Sequence, residues 1–242
     1  ASEATGLQIE LAKLGFTTEE IGNSTEYILK FAQATGAALP EAAALSGAAL
    51  RMFNADTKET ERYVSAMAVA TSKSALSFSY LATALPIVGP VANAFNFTIE
   101  DTLALLGKLS DAGFDASMSA TATRNILLNL ADANGKLAQK LGEPVKNLPD
   151  LVNGLLKLRD SGVDLNETLE MTDKRSVAAF NAFLTAADKI NPLRESITGV
   201  GDELDAMANT MSDNTAGAIK TLESAWEEMM ISMGIRAQSE LL

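Results

Sequence analysis

The chain has 242 residues, of which 47% are hydrophobic and only 5% aromatic, and it contains neither cysteine nor histidine. These absences exclude disulfides, thiolate nucleophiles, histidine acid–base catalysis and zinc sites of the usual nitrogen and sulfur kind. The net charge of −12, from 19 basic and 31 acidic residues without a basic stripe, argues against nucleic acid as a partner, since phosphate contacts need clustered lysine and arginine.

The fold class is indicated by the kind of apolar residue present. Much of the hydrophobic content is alanine, which is the best helix former and a poor core filler. Strands favour valine, isoleucine and aromatic residues in alternation, and no convincing alternating run occurs. The sequence therefore predicts an all-α fold, a compact multi-helix bundle with a long C-terminal helix.

Several helix boundaries are marked by the same corner, a glycine followed by an apolar residue and a polar cap. In the first corner, Gly15 can end one helix in the left-handed conformation, Thr17 can cap the next, and Glu20 stands at the capping-box position. Asp56 followed by Glu59 indicates a further helix start. The corner recurs in Gly113-Phe114-Asp115 and Gly162-Val163-Asp164, and without the glycine in Phe97-Thr98-Ile99-Glu100-Asp101.

Proline and glycine interrupt the apolar segment 76–97. Proline removes a backbone donor and disfavours helix just before itself. Pro86, Gly89 and Pro90 therefore predict a helix that ends near Leu85, a bent connection, and a new helix through 91–95. The segment has the length of a membrane span, but its prolines, serines and asparagines lower its hydrophobicity and favour a buried hairpin.

Further along the chain, apolar residues recur at steps of three and four, as they do in amphipathic helices. Leu151, Leu155 and Leu158 predict a helix that stops at Gly162. Two other apolar helix faces consist of Ile99, Leu103, Leu106 and Leu109, and of Ile126, Leu127 and Leu130.

The segment 201–234 lacks proline, and its apolar positions recur every eleven residues. This period corresponds to about 3.67 residues per turn, which is typical of straight or slightly right-handed coiled helices. Two interpretations stay open: an ordinary amphipathic helix packed on its own domain, and the start of a rod in which chains run side by side. The candidate self-association stripe consists of Leu204, Met207, Met211, Leu222, Trp226, Met229 and Met233.

No catalytic, metal or cofactor-binding residue is predicted. Paired carboxylates such as Glu19-Glu20 and Glu100-Asp101 stand at expected helix starts, where negative charge offsets the helix dipole. Asp111, Asp115 and Asp132 lack the spacing of a calcium-binding loop. The sequence therefore predicts a protein that is not an enzyme and that acts through protein–protein contacts.

Three blocks between residues 81 and 130 resemble the core of bacteriophage tail tape-measure proteins. Their order and spacing are more specific than any single block, and weaker similarity covers nearly the whole chain. The blocks are LATALPIVGPVA at 81–92, FTIEDTLALLGKL at 97–109 and AGFDASMSATATRNIL at 112–127.

The resemblance implies three parts: a helical tape-measure core in residues 1–145, a helical continuation in 146–200, and a long C-terminal helix in 201–242 from which a rod could start. It implies a structural virion protein of the tail lumen, assembled in the host cytoplasm, that templates the tail tube and sets its length. The partners that it implies are tube proteins, tip or baseplate proteins and assembly chaperones. From the residues themselves we expect association with other copies through the C-terminal stripe, no nucleic acid, and no membrane contact of this segment.

A fully helical chain of this length would reach about 360 Å at 1.5 Å per residue. The glycine and proline corners predict a compact module attached to such a ruler rather than the ruler itself. Because the chain begins without methionine, we expect a fragment of a longer protein. Two alternatives stay open: a helical adaptor of bacterial origin without a phage role, and a membrane-active helical protein based on segment 76–97.

Overall fold

The computed structural model describes residues 2–132, 135–142 and 144–213, and in this part of the chain every regular element is a helix. This confirms the predicted fold class. The elements are α1 Ser2–Lys13, α2 Thr18–Thr35, α3 Leu39–Met52, a 3-10 helix Thr57–Glu59, α4 Thr60–Lys73, α5 Phe78–Ala94, α6 Ile99–Asp111, α7 Ala116–Ala131, α8 Lys136–Leu141, α9 Leu148–Asp160, α10 Leu165–Met171, α11 Val177–Ser196 and α12 Gly201–Asp213.

The chain divides into two compact units. Within the described residues, unit 1 comprises 2–51, 55–68 and 200–213. Unit 2 comprises residues 52–54 and 69–199. Of the predicted long helix in 201–242, the described residues show α12, and the positions after Asp213 lie outside them.

Unit 1 is organised around α2, which packs against α1 and α12. Its core consists of fully or almost fully buried aliphatic and aromatic side chains. These are Leu7, Leu11, Ile28, Phe31, Leu50 and Leu204 among others. Arg51 at the end of α3 donates to the Leu14 carbonyl at the end of α1, which ties the first and third helices together.

Unit 2 is organised around α6, which is buried on nearly all sides. From Ile99 to Ser110 only Lys108 escapes burial. Helix α11 packs on α6, with α5 and α7 also against it, and α9 packs on α11. Gly107 permits the close approach of α11, because a Cβ atom there would lie 2.7 Å from Leu193 Cδ2. The predicted α6 face of isoleucine and leucine is therefore confirmed, but the opposite face is buried as well.

The predicted glycine–apolar–cap corners are confirmed. After α1, the Gly15 N–H donates to Ala12 O at 2.9 Å and the Phe16 N–H to Leu11 O at 3.1 Å, the bonding pattern of a left-handed helix end. Thr17 then caps α2 in a reciprocal capping box with Glu20. Gly113 and Gly162 also have positive φ, 85° and 75°, and Asp115 and Asp164 cap the helices that follow.

Two corners use asparagine where the first three use glycine. Asn54 and Asn96 have φ of 51° and 58°, and each is followed by an apolar residue and a capping side chain. Asp56 caps the 3-10 helix that leads into α4, and Thr98 forms a capping box with Asp101 at α6. Asparagine tolerates the left-handed conformation better than other residues with a Cβ atom, so the corner keeps its geometry.

The predicted break in segment 76–97 is wrong, because α5 runs without interruption through Pro86 and Pro90. The two prolines are one helical turn apart, and both face solvent, as does Ala82 one turn earlier. The carbonyls left without a helical donor, those of Ala82 and Pro86, therefore lie on the exposed side, where water can bind them. The buried side of α5 keeps Leu81, Leu85 and Val88 in the core.

The same helix replaces the predicted buried hairpin. Helix α5 is a single element of 17 residues with one buried face. Among the described residues, no helix is long and apolar enough to cross a membrane. The other predicted helix end is confirmed: Leu151, Leu155 and Leu158 are buried in α9, which ends at Asp160, two residues before Gly162.

Candidate interaction surface

The predicted self-association stripe begins on α12, which packs against α2 in unit 1. Leu204 is 1% exposed, Met207 is half-buried and Met211 is 42% exposed, so exposure increases along the helix. The first stripe residue is thus part of the core of unit 1. The remaining predicted positions, Leu222, Trp226, Met229 and Met233, lie outside the described residues.

The outer face of α12 is acidic and has no lysine or arginine. One carboxylate from this helix, Asp205, accepts from Lys30 of α2 at 2.9 Å, and Lys30 also pairs with Glu26 at 2.9 Å. The hydrogen bonds to Glu26 and Asp205 raise the pKa of the Lys30 ammonium above its ordinary range. Lys30 therefore links α12 to α2 by an ion pair at the edge of their apolar contact.

A second contact fixes the start of α12. Gly201 lies close to the carboxylate of Glu61 in α4, since a Cβ atom at this glycine would be 2.9 Å from Glu61 Oε1. The charge of Glu61, together with burial and the nearby Glu26, raises the pKa of the Tyr27 hydroxyl. The beginning of α12 is thereby placed near Tyr27, and Asp205, one turn on, near Lys30.

Unit 2 contains a long segment without charged side chains that the sequence interpretation did not use as an interaction signal. Residues 74–99, which include all of α5, contain no charged side chain. On the neighbouring α7, Met118 and Leu128 are 54% and 50% exposed. This run of 26 uncharged residues is visible in the sequence, because the chain as a whole has a net charge of −12.

An open groove of about 1110 Å³ lies in unit 1 beside the start of α2. Its carboxylates include Glu20 and Asp56, and both are used as helix caps. The Thr17 backbone N–H, with the Thr17 hydroxyl interaction, lowers the pKa of Glu20. Glu20 and Asp56 thus have local structural roles at the starts of two helices.

Unit 2 has a buried pair of neighbouring carboxylates, Glu100 and Asp101, and the hydrogen bonds of Asp101 hold helices together. Asp101 accepts from the Thr98 N–H at 3.0 Å and from Arg194 Nε at 2.6 Å, and Glu100 precedes it on the same buried helix. Asp101 joins the start of α6 to α11. Within the described ranges, no group of three or more histidine, cysteine, aspartate or glutamate residues could hold a metal ion.

Comparison with known proteins identifies the family of this chain. The profile of the family described as phage-related minor tail protein matches residues 1–239. The chain belongs to this family. The resemblance seen in the three sequence blocks is thereby confirmed, and it extends over nearly the whole length of this tail-protein chain.

Relatives with assigned names support the same placement. The minor tail protein chain is 27% identical over 244 residues to the probable tape measure protein of Escherichia phage P2, covering 94% of this chain and 30% of that protein. It is 23% identical over 245 residues to the tape measure protein of Pneumococcus phage Dp-1, covering 96% of this chain and 21% of that protein. The chain thus spans less than a third of the length of these relatives. No solved structure matches it.

Proposed function

We propose that this chain is a folded module of a tail tape-measure protein, which templates assembly of the tail tube and sets its length through protein–protein contacts. The observation that supports this proposal most strongly is the family match over residues 1–239. The proposed partners are other copies of the chain, tube proteins, tip or baseplate proteins and assembly chaperones. The proposed location is the lumen of the tail, after assembly in the host cytoplasm.

The helical corners support a module rather than a ruler. A ruler contributes about 1.5 Å per residue along the tail if it is one continuous helix. In the described chain, the helices are short and end at capped corners with left-handed residues, so consecutive helices change direction. The length of tail measured by this segment is therefore much smaller than its residue count implies.

Self-association is the second part of the proposal. The stripe that starts at Leu204 and continues in the sequence through Leu222, Trp226, Met229 and Met233 would carry it. Light scattering over a range of concentrations should show oligomers whose dissociation is promoted by Trp226→Ala or Met229→Ala. A monomer at every concentration, unaffected by either substitution, would contradict this part of the proposal.

The assembly role is tested in a phage that carries the parent gene. Deleting the gene should leave no tails of uniform length in electron micrographs. Destabilising this module alone, with Asp101→Ala, should reduce the number of tails while those that form keep the normal length. Tails that become shorter with Asp101→Ala would show that the segment acts as a ruler, and normal tails without the gene would refute the tape-measure function.

A further inference from the structure

Helix α7 of unit 2 contains a single charged residue, Arg124, and within the described part of the chain its guanidinium has no carboxylate partner. Its Nη2 atom donates to Asn125 Oδ1 at 3.4 Å, and its Nε atom is buried without an acceptor among the described residues. The other half-buried arginine of these ranges, Arg194, pairs with Asp101 at 2.6 Å. Partial burial of a cation without a counter-charge costs free energy, and Arg124 bears this cost whereas Arg194 does not.

Helices α5 and α7 do not supply the missing carboxylate. Residues 116–131 contain no aspartate or glutamate, and neither do residues 74–99, which include all of α5. Asp173 contacts α7 through Asn125, but its carboxylate also accepts from the Ser176 hydroxyl at 2.7 Å and from backbone N–H groups of its own turn. The positive charge of α7 is therefore left uncompensated by the two helices that form this side of unit 2.

Arg124 lies between two exposed apolar side chains of α7. Met118, Thr121, Arg124 and Leu128 follow one another at steps of three and four residues, so they lie along one side of the helix, which we call the α7 face. Met118 and Leu128 are 54% and 50% exposed. They are about 15 Å apart along the helix axis at 1.5 Å per residue. Arginine and methionine are both enriched at protein interfaces.

We infer that the α7 face binds a helix of a different protein that carries one aspartate or glutamate between two large apolar side chains. The carboxylate pairs with the Arg124 guanidinium, and the apolar side chains cover Met118 and Leu128. Charge complementarity selects this partner, because a second copy that presented the same face would bring two arginines together and would offer no carboxylate from α7. The α7 face belongs to unit 2, so the inference goes beyond the proposed function and does not depend on self-association through the C-terminal stripe.

Two synthetic peptides test the α7 face. Each is a fluorescein-labelled amphipathic helix of about five turns. One has a glutamate in the centre of its apolar face, with leucines four residues to one side and six to the other, the spacing of Leu128 and Met118 from Arg124. The other has glutamine in place of this glutamate. Binding to the full 242-residue chain is measured by fluorescence anisotropy.

Four chains are compared with the natural one, and thermal melts and light scattering are recorded for all of them. Arg124→Gln removes the charge, and Arg124→Lys keeps it. Arg175→Gln is the matched control, since Arg175 is exposed and lies outside α7. The double variant Met118→Ser with Leu128→Ser removes the apolar side chains and leaves the charge in place.

The natural chain should bind the glutamate peptide about fivefold more tightly than the glutamine peptide, because a charged hydrogen bond is added to the apolar contact. Arg124→Gln should abolish this preference, whereas Arg124→Lys and Arg175→Gln should retain it. The double serine variant should bind both peptides more weakly. Equal binding of the two peptides to the natural chain, or a preference that persists in Arg124→Gln, would overturn the inference.

Light scattering separates a different protein from a second copy. Oligomers of the natural chain that dissociate in Arg124→Gln but not in Arg175→Gln would assign the carboxylate to another surface of this chain and overturn the inferred partner. The tape-measure function is measured separately by tail length in the phage. Failure of peptide binding with normal dependence of tails on the parent gene would therefore reject the α7 face alone.

Discussion

Asp101 joins two elements of unit 2 with one carboxylate. The group is 3% exposed, and it accepts from the backbone of Thr98 at the start of α6 and from Arg194 of α11. A buried carboxylate is costly unless it is paired and hydrogen-bonded. Its two oxygens each have a donor here, so the charge is compensated where it is buried.

Asp101→Ala should therefore destabilise the protein by about 2–4 kcal/mol, because it removes a cap and leaves Arg194 without its acceptor. Urea unfolding followed by circular dichroism measures the change. Asp160→Ala is the matched control, since Asp160 pairs with Arg159 on the surface and is 72% exposed; its loss should cost at most about 0.5 kcal/mol. Equal losses for the two variants would contradict the structural role of Asp101.

Asp173 provides a pH-dependent contribution. Burial raises its pKa, but hydrogen bonds from the Ser176 hydroxyl and from the N–H groups of Arg175 and Ser176 outweigh this and lower it. A lowered folded pKa gives stability that is present above the unfolded value of about 3.9 and is lost as pH falls through the folded value.

Asp173→Asn should accordingly lower the thermal midpoint at neutral pH, and the difference from the natural chain should shrink once the pH falls well below about 3.9. The asparagine keeps the shape and an acceptor oxygen, so the comparison isolates the charge. Thermal melts of both chains across this pH range measure it. A difference that stays constant with pH would attribute the effect to packing.

At the scale of elements, the repeated corner organises the connections between helices. Its left-handed residue ends one helix, its apolar residue is buried or half-buried, and its polar side chain caps the next helix. Glycine does this at Gly15, Gly113 and Gly162, and asparagine at Asn54 and Asn96. The asparagine corners are the ones where the backbone conformation is less favourable for the residue present.

Asn96→Gly should raise stability by a few tenths to about 1 kcal/mol, because glycine adopts the left-handed conformation without a steric penalty. Asn93→Gly, in the last turn of α5 with helical backbone, should lower stability by a similar amount. Chemical denaturation of the two variants measures the change in the free energy of unfolding, which should be positive for Asn96→Gly and negative for Asn93→Gly. A loss for Asn96→Gly would show that the asparagine side chain stabilises the corner.

Helix α5 keeps two prolines at a cost in helical hydrogen bonds. An alanine at position 86 could donate to the Ala82 carbonyl, so Pro86→Ala should raise the thermal stability by about 1–2 kcal/mol, less than the full proline penalty because the unfolded chain gains freedom. Pro40→Ala is the control, since Pro40 is in the first turn of α3 and removes no helical bond. No gain for Pro86→Ala would mean that water already satisfies the exposed carbonyls.

For the whole molecule, the charge of −12 opposes association of identical copies. If the proposed stripe holds copies together by apolar contact, salt should strengthen the oligomer by screening the repulsion. Light scattering at low and high ionic strength tests this. Weaker association at high salt would indicate that ion pairs, rather than the stripe, hold the copies together.

The sequence by itself determined the fold class, the excluded chemistries and the helix boundaries at the repeated corners, because caps and left-handed helix ends depend on residues within about six positions of one another. Gly15 with Thr17 and Gly162 with Asp164 are examples. Only the tertiary structure decided that α5 continues through Pro86, that α6 is buried all round, and that Leu204 belongs to the core of unit 1. Each of these features depends on which side of a helix packs against another helix that is distant in the sequence. Local pattern does not specify that partner.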